Sequence, residues 1–369
     1  MSERIRIGEV SKTFMELVQV PSPTFHEAEM SKNVFNRLIE FGIDPRIDNE
    51  GNVIVKFPGD TSKETFMLNA HMDTVQKVGD KIEPIIDDDG WIRSKGETIL
   101  GADNKTAVAA ILYALKKLIS EKSTAHHPLE IVFTVSEESG NHGAHGVNYQ
   151  ELKAKRGYIF DASDNDFGSM VLSSPAYARF DIKLTGVAAH ASKPELGKNV
   201  LPVVARAIMQ TKLGCREEKR TLVNIANVTV GQKDGPANTV PGEIYLSGEV
   251  RTMNGALVEK IASDVAKKFE DEATKEGISS QIKITKENGS FEFEKDSDFV
   301  RRTVEILDKM GVSPKYINSW GCYEANIFAE HGIMMLNLAD GSLDSHTKDE
   351  RIKVSDLEKL GELVYKLIS

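Results

Sequence analysis

The sequence predicts an α/β protein: a mixed, largely parallel sheet flanked by helices, interrupted by an inserted α+β domain of ferredoxin-like order. Three observations carry this. Apolar stripes at helical spacing alternate with short β-rich runs through residue 174. At Ser173-Ser174-Pro175 the pattern changes to strict alternation, as in a half-exposed strand. Beyond that point the order of elements is β-α-β-β-α-β. The expected boundaries are 1–174 plus 288–369 for the outer domain and 175–287 for the insertion.

Each element has its own signal. Val10, Phe14, Leu17 and Val18 share a helical face that stops at Pro21-Ser22-Pro23, and Met30, Val34, Leu38 and Phe41 define a second helix. The runs 53–57 and 65–70 are β-rich, and the second leads straight into His71. Val108, Ile111, Leu112, Leu115 and Leu118 form the buried stripe of a helix over 107–118. Strands over 129–135 and 157–160 end at Ser136-Glu137-Glu138 and at Asp161. In the insertion, a strand from Tyr177 to Leu184 precedes a helix over 199–213, strands over 221–230 and 243–252, a helix over 256–275 and a strand over 281–286. A helix over 298–309, a strand over 333–337 and a helix over 354–368 complete the outer domain.

Composition narrows the function. The 369 residues carry 46 Lys plus Arg against 56 Asp plus Glu, a net charge of −10. Phosphate backbones would be repelled, which argues against a nucleic-acid partner. Cys215 and Cys322 are the only cysteines and make neither a zinc pattern nor a disulfide framework. Met1-Ser2-Glu3-Arg4-Ile5-Arg6 lacks the apolar core of a signal peptide, and no run approaches a membrane span. The expected location is the cytoplasm, with no membrane partner.

Chemistry concentrates in five short clusters: His71-Met72-Asp73-Thr74, Gly101-Ala102-Asp103-Asn104-Lys105, Glu137-Glu138, Asp161 and His346. Two imidazoles and several carboxylates, most at strand ends, suit two divalent metals sharing a carboxylate bridge. Such a pair makes hydroxide available at neutral pH for amide hydrolysis. His71 reads as a ligand oriented by Asp73, two residues on. Asp103 has two oxygens with which to bridge, and Lys105 beside it is expected to stay exposed. Glu137 and Glu138 serve one site only if they occupy the turn after their strand, Glu138 as ligand and Glu137 as general base. Singly, each cluster has a plainer reading: a surface His-Asp pair, an N-cap aspartate, a solvated acidic turn, an exposed histidine. His126, His127, His142, His145 and His331 lack a comparable context.

In this order, and with Glu137-Glu138-Ser139-Gly140 extended, the set resembles the di-zinc aminoacylase/carboxypeptidase/tripeptidase family, most closely its peptidase T-like branch. Gly186-Val187-Ala188-Ala189-His190-Ala191 and Ala237-Asn238-Thr239-Val240-Pro241-Gly242 resemble motifs of that family's lid domain. The resemblance implies one zinc on His71, Asp103 and Asp161, and a second on Asp103, Glu138 and His346. It implies Glu137 as base, Asp73 as partner of His71, and a cis peptide after Asp103. Co2+ or Mn2+ would also suit the mixed N/O donors. By the same likeness, His190 stabilises the developing oxyanion, often across a dimer formed by the lids. Asn238 and Arg251 then bind substrate, although Arg251 in a strand equally suits a structural ion pair. The implied substrate is a short peptide; an N-acyl amino acid deacylase or carboxypeptidase would use the same metals. A non-catalytic binding protein would be expected to lack a ligand or the base, and none is missing. One departure stands out. Gly321-Cys322-Tyr323-Glu324-Ala325-Asn326 carries Glu where relatives usually have Asp, preceded by a bulky Tyr, which bears on the pocket rather than the metals.

Overall fold

The computed structural model describes residues 7–216, 220–231 and 237–369. Met1–Arg6, read above for a signal peptide, lies outside them. Two compact units make up the chain. One runs through Ser173 and takes in Glu292–Ser319 and Tyr323–Ser369; the other comprises Ser174–Phe291 and Trp320–Cys322.

The first unit is built on a mixed sheet, parallel at its centre. The strands Leu129–Thr134, Phe66–His71, Arg156–Ile159 and Met334–Leu338 lie side by side and parallel in that order. Val53–Phe57 joins antiparallel at one side, and Ser169–Ser174 at the other. Phe66–His71 is buried along its whole length, as a central parallel strand must be. Its register pairs His71 with Thr134, and both Asn69 and Asn337 with Ile159. The carboxyl ends of these strands therefore finish at one level. Helices Ala102–Glu121, Glu9–Val18 and Val354–Ile368 pack together through Phe14, Leu17, Ile111, Leu115, Leu360 and Leu363, all buried in the core that also takes in Leu68 and Phe133.

Two expectations at the second cluster, Gly101–Lys105, are corrected. The helix begins at Ala102 rather than 107, but Asp103 (φ −79°, ψ 106°) and Asn104 (φ −120°, ψ 30°) are non-helical inside it. The apolar period becomes regular only after this kink, which is why it alone was visible. Lys105 is 0% exposed, not solvated. The kink turns it inward, where its Nζ donates to the carbonyl of Val20 at 2.9 Å. Burial brings its pKa down to about 7, against the pull of Glu350 and Asp73. A small sheet of Pro84–Ile86, Trp91–Ser94 and Arg351–Lys353 was not anticipated; three- and four-residue strands carry too little alternation to read.

In the second unit the strands run Thr221–Val230, Glu243–Thr252, Ala176–Thr185, Ser279–Asn288, all antiparallel. This is the ferredoxin-like order, with Gly214–Arg216 added at one edge. Ala176–Thr185 alternates buried and more exposed positions. Phe180, Ile182 and Leu184 meet Val203 and Val204 of helix Val200–Gln210 and Val265 and Phe269 of helix Val258–Lys275 in a core of their own. Trp320–Cys322 joins this unit by hydrogen bonds: Arg251 Nη1 donates to the Trp320 carbonyl at 2.7 Å, and Ser174 Oγ to the Gly321 carbonyl at 2.7 Å. Among the described residues, no helix is long and apolar enough to cross a membrane.

Candidate metal centre

All five ligand candidates sit in the first unit, and His71, Glu138 and Asp161 stand at or just beyond the aligned strand ends. His71 closes its own strand. Glu137 and Glu138 follow Thr134 in a loop that turns at Ser136, whose φ of +52° is left-handed. Asp161 follows Ile159 by two residues. Asp103 stands in the kink after Gly101, and the Asp103–Asn104 peptide is cis. His346 reaches in from a loop, itself at φ +63°. Left-handed non-glycine residues gather at functional sites, where the surroundings hold them in place.

The donor atoms converge as two sets that share one carboxylate. His71 Nε2 is 3.1 Å from Asp103 Oδ1 and 3.6 Å from Asp161 Oδ1. His346 Nε2 is 3.6 Å from the other oxygen, Asp103 Oδ2, and 2.8 Å from Glu138 Oε1. Donor atoms of His71, Asp103 and Glu138 all lie within 4.8 Å of one another. A carboxylate whose two oxygens each face a different imidazole has the geometry of a bridge between two cations.

Electrostatics point the same way. Burial works against a charged His71, but Asp103, Asp161 and Asp73 outweigh it and raise its pKa well above the ordinary value. Contact with Glu138 lifts His346 to about 9. Burial raises Asp161 to about 6 and Glu324, Asp340 and Glu350 each to about 7. Glu137 is also pushed well up, by burial and then by Asp161, Glu324 and Glu138, with His71 opposing. Nearby positive charge favours the ionised form of so many buried carboxyls. The donor set therefore fits divalent cations by its chemistry as well as its shape.

Supporting contacts hold the donors in place, and few were legible in the sequence. Asp73 lies beside His71, but Nδ1 is nearer the Asp73 backbone carbonyl (3.1 Å) than its carboxylate (3.4 Å). The Asp73 carboxylate instead fastens the acidic loop, accepting from the Glu137 amide at 2.9 Å, the Glu138 amide at 3.2 Å and Thr24 Oγ1 at 2.9 Å. Asn104 Nδ2 donates to Asp161 Oδ1 at 3.0 Å, and the Asp161 amide to Asn337 Oδ1 at 2.9 Å. Glu350 accepts from three amides around Asp103. Glu324, at the unusual segment, is fully buried; its Oε2 accepts from Thr134 Oγ1 at 2.6 Å. A polar residue just past a strand end was the one available signal for Asn104 and Asn337.

The remaining candidates belong to the second unit. His190 ends the strand Ala189–His190, which pairs with Thr239–Val240; Asn238 lies just before that second strand, its Nδ2 3.1 Å from His190 Nε2. Ser192 Oγ is 2.8 Å from His190 Nδ1. Arg251 is committed within its unit, to Glu249 Oε2 at 3.1 Å, to the Trp320 carbonyl and to the Tyr177 ring. These contacts are those of the ion-pair reading.

Comparison with known proteins identifies the family. Residues 67–369 match peptidase family M20/M25/M40. The chain belongs to this family. Among solved structures, the M20 member resembles an aminopeptidase PepT from Bacillus cereus ATCC 10987, at 33% identity and TM-score 0.90 over 98% of both chains. A tripeptidase from Staphylococcus aureus subsp. aureus Mu50 is similar at 30% identity and TM-score 0.89, again over 98% of both. The uncharacterized protein YqjE of Bacillus subtilis (strain 168) is 31% identical over 96% of each chain.

Proposed function

We propose that this M20 peptidase is a two-metal aminopeptidase acting on short peptides, tripeptides among them. The observation that carries the reading is Asp103 between His71 and His346, one carboxylate oxygen to each. His71, Asp103 and Asp161 would hold one ion, and Asp103, Glu138 and His346 the other. A structural neighbour from Bacillus subtilis, the YXEP protein, is described as a dinuclear metal-binding peptidase of the M20 family. Zinc suits the N/O donor set, as do cobalt and manganese. When bound, such a pair lowers the pKa of coordinated water towards 7 and polarises a carbonyl.

The chain's own residues do the rest. Glu137 is half-buried and anchored through its amide to Asp73, so its carboxylate is held where it takes the proton of the attacking water. The same carboxyl then delivers that proton to the leaving amine. Asp73 fixes both ends of the exchange, since it contacts His71 and carries the Glu137-Glu138 loop. His190 offsets charge on the substrate oxygen and Asn238 holds substrate in this reading; their mutual hydrogen bond supports a shared task. Arg251 binds a substrate carboxylate only by releasing its present contacts. In this reading the inserted domain serves as lid and homodimer contact, and the protein works in the cytoplasm.

A panel of tripeptides, dipeptides and N-acyl amino acids, assayed with added zinc, cobalt or manganese, tests the substrate class. Tripeptides with a free amino terminus are cleaved at that terminus. Cleavage of the acyl substrates with tripeptides inert would replace the aminopeptidase by a deacylase.

A further inference from the structure

Glu350 stands four residues after His346 and is buried, 1% exposed, although its neighbours Lys348 and Asp349 are exposed. Its carboxylate accepts three backbone hydrogen bonds, all from the segment that presents the bridging carboxylate. Oε2 takes the amides of Leu100 at 2.8 Å and Gly101 at 2.6 Å, and Oε1 takes the amide of Asp103 at 3.0 Å. These lie 247 to 250 residues away in sequence. Gly101 has φ +74°, so the segment is bent where Glu350 grips it. Asp103 is the second residue of its helix, where a backbone amide has no acceptor within the helix, and Glu350 supplies one. On the other side, Glu350 leads into the strand Arg351–Lys353, which pairs with Trp91–Ser94 and fixes the end of the His346 loop.

We infer that Glu350 is a positioning residue that ties the bridging Asp103 to the His346 loop and so couples occupation of the two metal positions. The inference rests on the two-metal reading given above. The argument is one of donors and acceptors. Three amides pointing at two oxygens are satisfied by a carboxylate, which accepts at both; a carboxamide of the same shape accepts at one and presents N–H groups at the other. Glu350→Gln therefore preserves size while forcing at least one amide–amide conflict. Asp103 would then lose its fixed orientation with respect to His346, while its relation to His71 and Asp161, held by the strand ends and by Asn104, is the better preserved.

Calorimetric titration of the metal-free full chain with zinc tests this. Wild type takes up two ions per chain. Glu350→Gln binds the first nearly as tightly and the second about 10–100-fold more weakly, the range for losing a partner that orients a ligand. Excess zinc restores peptide turnover to the variant, with kcat recovering more than KM changes. A folding defect alone would lower the melting temperature without separating the two ions. Amide exchange on metal-free wild type gives a readout that needs no variant: Leu100, Gly101 and Asp103 are protected before any metal is added. Two equally tight ions in Glu350→Gln, or fast exchange at those amides until zinc arrives, overturns the role of Glu350. A wild type that takes up fewer than two ions removes the two-metal reading itself, and this inference with it.

Discussion

At Glu137, a carboxyl pushed well above its ordinary pKa sits one residue from a metal-ligand candidate and hangs from Asp73 by its amide. Replacing it by glutamine keeps the shape and removes the proton acceptor. Glu137→Gln is expected to retain its metal content and to lose turnover by about two to four orders of magnitude, the usual span for a general base. Near-normal peptide hydrolysis in this variant, with metal content unchanged, would take the base role away from Glu137. Which residues were legible follows from where they lie. His71, Glu137, Glu138 and Asp161 each end an apolar run, so a strand end and a polar donor coincide in the sequence. Glu350 does not. In Asp344-Ser345-His346-Thr347-Lys348-Asp349-Glu350 three acids look alike, and only the three amides of a distant segment single one out. Lys105 misled for a related reason: a charged residue in a polar run reads as solvated, and the kink that buries it is a backbone event with no compositional sign.

The strands and helices set a second scale. Long elements with a clear period were readable within a few residues, as with 221–230 and 243–252, which match the strands Thr221–Val230 and Glu243–Thr252. The short strands and the helix start at Ala102 were not, because register and kinks are fixed by packing. The aligned strand ends have a consequence for pH. Asp161 at about 6, and Glu324, Asp340 and Glu350 at about 7, keep protons in the folded metal-free protein that the unfolded chain releases between about pH 4 and 5. With more protons on the native state, their contribution to stability is complete at low pH and is lost as pH rises towards 7. His71, raised by its carboxylate neighbours, works in the same sense above its ordinary value, and Lys105 begins to titrate only at the top of this window. His127, lowered chiefly by burial, opposes with a single ring. The metal-free protein is therefore expected to melt at a lower temperature at pH 7 than at pH 5, and zinc to raise the pH 7 value most. Scanning calorimetry with and without chelator checks this; a melting temperature that climbs from pH 5 to pH 7 without metal would contradict the crowding of carboxyls described here.

For the whole molecule, the division of labour between units is the point at issue. All five metal-ligand candidates, Glu137 and Asp73 lie in the first unit, and His190, Asn238 and Arg251 in the second. His190→Ala and Asn238→Ala are accordingly expected to leave two ions per chain in place and to lower kcat/KM by about a hundredfold or more, the scale of losing one oxyanion donor. Unchanged kinetics in both variants would return these residues to a purely structural part. Arg251→Ala is expected instead to loosen its own unit, since it removes contacts to Glu249 and Trp320. The whole account turns on Asp103 as the shared ligand. Anomalous diffraction from crystals grown with zinc tests that most directly. Two peaks are predicted, one bonded to Asp103 Oδ1 with His71 and Asp161, the other to Asp103 Oδ2 with His346 and Glu138; a single peak, or two that leave Asp103 uncoordinated, would contradict it.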